Sequence, residues 1–293
     1  MCAIIVRMDY RTKLFLKFAR FIKPGWRANI AAGILLPLVR LAAPRRRVAE
    51  ANIALVFPEK SPAERSKILL ESYENMVWTC IETLAWQKDP SLVDKWTVEV
   101  EGRQYIDAAL EKGKGAIIVS AHLGNWEHTA AWIGRNCRGV GIARHPDSRL
   151  QKEIIQALRT RTGLKILGKE EPMTRAIAVL RRNDTLGLLS DQHGGREGIK
   201  VPFFGQETST VQGAAVFAYV TGSPIIPIQS CRLRPFRFKI MAEPPIKWEK
   251  GKDRDSTIRD ITALVNEELE KMIRRAPGQW LWQHRRFREI SRA

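Results

Sequence analysis

From about Thr97 the chain alternates short β-rich runs with helical stretches, and this alternation constrains its fold more than any other feature. Residues 98–100, 116–120, 139–143, 186–189, 225–228 and 236–241 read as strands, being short, apolar and rich in Val and Ile. Helical stretches lie between them: one ending near Gly113, one beginning near Trp126, then 147–161, 172–182 and 212–220, with 258–275 after the last strand. Strands separated by helices of this length pair in parallel, because a parallel neighbour needs a long crossover. The pattern therefore predicts an α/β fold, a mixed and mostly parallel sheet flanked by helices.

The chain before Thr97 follows another rule. Ser61-Pro62-Ala63-Glu64 has the form of a helix capping box with proline at the first helical position. After it, Leu69, Tyr73, Met76, Val77, Cys80, Ile81 and Leu84 share one helical face, and Asp89-Pro90 ends the helix. The first sixty residues carry twelve Lys/Arg against three acids. Their longest apolar run, 30–39, is interrupted by Pro37 and closed by Arg40, too short for the roughly 20 residues of a membrane span. With Trp26-Arg27 before it and Arg45-Arg46-Arg47 after it, the run suits a helix lying in a membrane interface; a buried core helix fits the composition equally well. The expected organisation is a basic, membrane-associating extension over 1–60 and an α/β domain over 61–293.

Charge narrows the partners. The chain has 49 Lys+Arg and 31 Asp+Glu, a net +18, which favours an anionic partner: nucleic acid, an anionic membrane, or an acidic protein or substrate. A mean hydropathy of −0.25 excludes a polytopic membrane protein, and nine Trp with ten Phe exclude disorder as the main state. No RNA-binding or helix-turn-helix pattern accompanies the charge. Cys2, Cys80, Cys137 and Cys231 are far apart, with neither a C-x-x-C pair nor a histidine at ligand spacing, so neither a metal site nor a disulfide framework is expected.

In open α/β sheets the chemistry sits beyond the carboxyl ends of the strands. The strand at 116–120 runs into Ala121-His122-Leu123-Gly124-Asn125-Trp126-Glu127. His122 is the first ionisable residue past it. On one continuous helix Glu127 would point away from His122; a turn at 123–125 could instead bring the carboxylate back to orient the imidazole as a general base. A buried histidine beside a glutamate that a helix start favours is the alternative reading. Without G-x-S-x-G or any other protein nucleophile, such a base would act on a substrate hydroxyl. Further candidates are the loop from Asp191 to Gly198, the basic segment Arg159-Thr160-Arg161, Arg144 after a strand, and the Trp- and Arg-rich segment 279–287.

In combination these blocks resemble the bacterial lipid A biosynthesis acyltransferases, the late lauroyl and myristoyl transferases of the lysophospholipid acyltransferase-like superfamily, over nearly the whole chain. Residues 52–59, the H-x-x-x-x-E block at 120–127, Arg159-Thr160-Arg161, Asp191 leading to Val201-Pro202-Phe203-Phe204-Gly205, residues 221–224 and Trp282-x-His284-Arg285-Arg286-Phe287 carry the likeness. The F-P-E-G-T-R-S block of the glycerophosphate acyltransferases is missing. The resemblance implies a membrane-bound enzyme that moves a fatty acyl chain from acyl carrier protein or acyl-CoA to a hydroxyl of a phosphorylated glycolipid. It would work on the cytoplasmic face of the inner membrane, without metal, cofactor or nucleic acid. His122 would be the base and Glu127 its orienting carboxylate, with Arg159, Asp191, Arg144 and Arg161 shaping the site or holding substrate.

Overall fold

The computed structural model describes residues 21–86, 89–143, 159, 161–288 and 290. Seven strands form the main sheet: β1 (Thr97–Glu101), β2 (Ala116–Ser120), β3 (Gly139–Ala143), β4 (Lys165–Gly168), β5 (Thr185–Leu189), β8 (Ile225–Arg234) and β9 (Arg237–Ala242). Their order is β1-β9-β8-β2-β5-β3-β4. Every neighbouring pair is parallel except β8 and β9, which form an antiparallel hairpin. The mixed, mostly parallel sheet anticipated from the alternation is thus observed.

Alternation of side chains along β2 divides the core. Ile117 and Val119 face one side, against α2 (Arg46–Val56), α7 (Met173–Arg181), α8 (Gly213–Thr221) and α9 (Arg254–Arg275). Ala116 and Ile118 face the other, against α4 (Leu92–Trp96), α5 (Arg103–Glu111) and α6 (Trp126–Asn136). All five residues of β2 are buried, as a central parallel strand covered on both faces requires. The capping box at Ser61 forms as expected: Ser61 Oγ accepts from the Glu64 amide, and the Glu64 carboxylate accepts from the Ser61 amide, opening α3 (Pro62–Ala85). The helix expected over 147–161 lies outside the described residues except at 159 and 161.

Two features depart from the sequence pattern. Residues 199–210, not among the strands expected from the sequence, form a separate antiparallel hairpin of β6 (Ile199–Phe203) and β7 (Gln206–Thr210). Its two-residue turn places Phe204 at φ 51° and Gly205 at φ 72°, the positive-φ pair that tight hairpins need, and Phe203 and Phe204 are buried beneath α9 and the C-terminal segment. The region before residue 60 also divides in two. α1 (Trp26–Ala42) leaves Trp26, Ile30, Ile34, Leu35, Leu38 and Leu41 exposed and buries Ala28 and Ala32 against Val77, Trp78 and Ile81 of α3. α2, in contrast, belongs to the core: Ala49, Ile53 and Val56 are buried, and Asn52 Nδ2 donates to the carbonyls of Trp282 and His284, each at 2.8 Å. Among the described residues no single helix is long and apolar enough to cross a membrane; α1 and α2, bent by 84°, pass that test only as a pair.

A buried ion pair ties α3 to the sheet. Glu82 is fully buried, and Arg232 of β8 grips its carboxylate through Nε at 3.0 Å and Nη2 at 2.7 Å. Removing one partner strands a charge in the interior, at a cost of about 3–5 kcal/mol, whereas replacing both with groups of similar shape costs far less. Urea unfolding of Glu82→Gln, Arg232→Met and the double variant tests this. Each single change should lower stability by about 3–5 kcal/mol, and the double variant should fall well short of the sum.

Candidate active site

Parallel register places the site. Ser120, the last residue of β2, pairs with Leu189, the last of β5, and the Ser190 amide donates to the Ser120 carbonyl at 2.9 Å. Two adjacent strands thus end level, and each sends an ionisable side chain from just beyond its end. His122 Nδ1 lies 2.8 Å from Asp191 Oδ1, and the His122 amide donates to Asp191 Oδ2 at 2.9 Å. Trp280 Nε1 donates to the same oxygen at 2.8 Å. Burial alone would raise the Asp191 pKa; the imidazole beside it and the hydrogen bonds from Trp280 and the His122 amide outweigh burial and bring it down to about 2. Because an ionised carboxylate can only accept, Nδ1 carries a proton, and in the neutral ring Nε2 then presents the lone pair.

The turn after His122 is held from below. Gly124 has φ 59°, and a Cβ there would stand 1.9 Å from the Ser230 carbonyl oxygen, so only glycine fits. Asn75 Nδ2 and Thr79 Oγ1 of α3 donate to the Gly124 carbonyl at 2.9 and 3.2 Å. Asn125 caps α6 by accepting from the His128 amide at 3.0 Å, and its Nδ2 donates to Glu82 at 2.9 Å. From above, the Leu281 amide donates to the His122 carbonyl and the Gly124 amide to the Gln279 carbonyl, both at 3.0 Å, so the segment around Trp280 lies along the turn like an added strand.

The sequence candidates fall into two groups. His122 and Asp191 meet directly. Glu127, expected to orient His122, sits in the first turn of α6 and is gripped instead by Arg159, Oε1 at 2.6 Å and Oε2 at 2.9 Å from the guanidinium. Asp191, anticipated as a residue shaping the site, is the carboxylate that holds the imidazole. The physical reason is the turn itself: it seats the Gly124 carbonyl on α3 and starts α6 with Glu127 facing Arg159. Both Arg159 and Glu127 are largely buried, and the charge of Glu127 more than offsets burial to raise the Arg159 pKa. Arg161 is exposed, and Arg144 lies outside the described residues.

Glu82, Arg232, Asn75 and Thr79 escaped the sequence reading, whereas Gln192, Trp280 and His284 lay inside candidate segments without a role of their own. One signal was available, since Asn75, Thr79 and Glu82 recur at spacings of four and three and form a polar stripe beside an apolar helical face. His284 lies against the Asp191 loop, its Nε2 accepting from the His193 amide at 3.1 Å.

A match to the model of the bacterial lipid A biosynthesis acyltransferases extends over residues 9–289. The chain belongs to that family. Membership makes it an O-acyltransferase. It is 27% identical to the lipid A biosynthesis palmitoleoyltransferase of Escherichia coli K12 over 249 residues, 83% of this chain and 79% of that protein. The lauroyltransferase of the same strain is 26% identical over 264 residues, 89% of this chain and 84% of that protein. A phosphatidylinositol mannoside acyltransferase of Mycobacterium tuberculosis H37Rv is 30% identical over 237 residues, 78% of this chain and 72% of that protein.

One buried and one half-buried histidine set the acid stability. Burial lowers the His128 pKa to about 3; its ring is fully buried and stacked on Phe238 at 4.0 Å. Burial likewise lowers His284 to about 4. Both are neutral in the fold, while the unfolded chain takes up protons near the ordinary value of 6.5. Stability is therefore lost as pH falls below about 6.5, by up to ~1.4 kcal/mol per pH unit for each imidazole. The depressed Asp191 acts only below about pH 4. Urea midpoints should accordingly drop between pH 7 and pH 5; equal midpoints at the two values would contradict the lowered pKa of these rings.

Proposed function

We propose that the enzyme transfers a fatty acyl chain from a thioester, carried by acyl carrier protein or coenzyme A, to a hydroxyl of a lipid A precursor or a related glycolipid. The observation that carries this reading is the His122–Asp191 pair at the level ends of β2 and β5, with Nε2 left to take a proton. The acceptor hydroxyl loses its proton to Nε2 as its oxygen attacks the thioester carbonyl carbon. The carbonyl π pair moves onto oxygen, then returns to expel the thiolate, which takes the proton back from His122. The products are an ester and a thiol. Asp191 holds the ring in the required tautomer and stabilises the imidazolium. The thioester supplies a good leaving group, so base catalysis and positioning are the protein's share.

The Glu127–Arg159 pair stands at the start of α6, just after the turn that carries the base, and we assign it to holding the acceptor together with Arg161 and Arg144. The names of the relatives, enzymes of lipid A and of phosphatidylinositol mannoside acylation, support a glycolipid acceptor. A phosphorylated acceptor and an acidic carrier protein suit a chain of net charge +18. The exposed apolar face of α1, with Arg27, Arg40 and Arg45 at its ends, is the face we assign to the anionic cytoplasmic surface of the inner membrane.

Activity is measured with purified protein, lauroyl-acyl carrier protein and glycolipid extract, reading the acylated product by mass spectrometry. His122→Ala should lower kcat by about 10³-fold or more, and Asp191→Asn by about 10²- to 10⁴-fold, with folding retained. Full transfer by His122→Ala would remove the base from the mechanism. Placing charge on the outer face of α1, as Ile34→Asp with Leu38→Asp, should weaken binding to phosphatidylglycerol vesicles by about tenfold or more while leaving the fold intact. Unchanged co-sedimentation would assign the membrane contact to another surface.

A further inference from the structure

The loop after Asp191 presents one more polar group to the reacting atoms. Asp191 is locked by Trp280 and by the His122 amide. Two positions on, the His193 amide is held by His284 Nε2 at 3.1 Å, and the Gly194 amide donates to the Ser209 carbonyl at 3.0 Å. Gln192 stands between these anchors, half-buried, and its Nε2 lies 3.4 Å from His122 Nε2. The amide NH2 must face the ring, because Nε2 presents a lone pair and an amide oxygen there would meet it with another. A donor whose backbone is pinned on both sides therefore points at the nitrogen that takes the substrate proton.

We propose that Gln192 is a catalytic residue, donating its amide N–H to the oxyanion that develops on the thioester carbonyl oxygen. In the free enzyme the N–H group occupies the base's lone pair, at the place the acceptor hydroxyl must enter. When the hydroxyl arrives, it replaces Gln192 on His122 Nε2. The attacked carbonyl oxygen is bonded to the carbon that this hydroxyl attacks, so it lies within reach of the displaced amide. The amide donates a hydrogen bond only; proton and electron pair move as in the acyl-transfer step above, on which this assignment rests. A fixed donor aimed where charge develops stabilises the transition state more than the ground state, and such donors are worth about 10²- to 10³-fold in kcat.

Gln192→Met keeps the length and removes the donor; Gln192→Leu is a second donor-free variant should methionine disturb the loop. In the same full-chain assay with lauroyl-acyl carrier protein, the donor-free variant should lose about 10²-fold in kcat with KM within about threefold and the urea midpoint unchanged. Gln192→Glu should lose at least as much, and its acid limb should move to higher pH, because a carboxylate beside the ring favours the imidazolium. Imidazole nitrogen NMR of the free protein should show the His122 Nε2 resonance moving in Gln192→Met, a readout that does not depend on turnover. A kcat within about threefold of the parent, or a loss confined to KM, overturns the proposal while the death of His122→Ala leaves the base reading standing. Activity retained by His122→Ala overturns both.

Discussion

Glu82 and Arg232 meet where α3, the β8–β9 hairpin and the His122 turn converge, and the geometry of that turn depends on their meeting. The Glu82 carboxylate takes hydrogen bonds from Arg232, from the Asn125 side chain and from the Phe236 amide. Arg232 in turn reaches Asn75 and Thr79, the same two residues that hold the Gly124 carbonyl. A buried charge pair tolerates little displacement, because each ion relies on all its partners once water is excluded. The turn that carries His122 into α6 therefore rests on a polar floor rather than on the apolar packing that supports the rest of the sheet.

The fold was largely legible because its signals are local. Apolar runs of five residues separated by helical period leave few arrangements, and every expected strand lies in the sheet. Non-local pairing was less so. Nothing in the spacing of His122 and Asp191 says that they touch, since their proximity comes from the shared register of β2 and β5. Their places just past predicted strands drew both residues into the candidate set. The H-x-x-x-x-E spacing suggested Glu127 as the partner of His122, but the direction of a side chain at a helix start depends on the turn before it. Glu82 and Arg232 were hidden for a different reason: on a polar stretch of sequence a buried charge looks like any solvated one, and only its distant partner distinguishes it. Asn52 and α2 illustrate the same point, because a helix flanked by arginines reads as surface until its inner face meets Trp282 and Phe57.

The net charge has likewise acquired positions. Arg232 and Arg286 have side chains buried in structural roles, bonded to carboxylates, hydroxyls or carbonyls inside the protein. Basic residues at the ends of α1 and on the exposed surface remain for external partners. A single figure for the whole chain thus mixes cations that hold the fold with cations that face outward, and only the second group bears on docking.

The strand-like segment around Trp280 has a consequence in the order of synthesis. β2, β5 and the loop carrying Asp191 leave the ribosome well before the residues that brace them. Until Gln279, Trp280 and Leu281 emerge, the His122 turn lacks the two backbone bonds above it and Asp191 lacks its indole donor. A nascent chain therefore holds His122 and Asp191 before it holds the bonds that brace them. The His122–Asp191 pair is braced on every side only once the segment around Trp280 closes over the earlier strands.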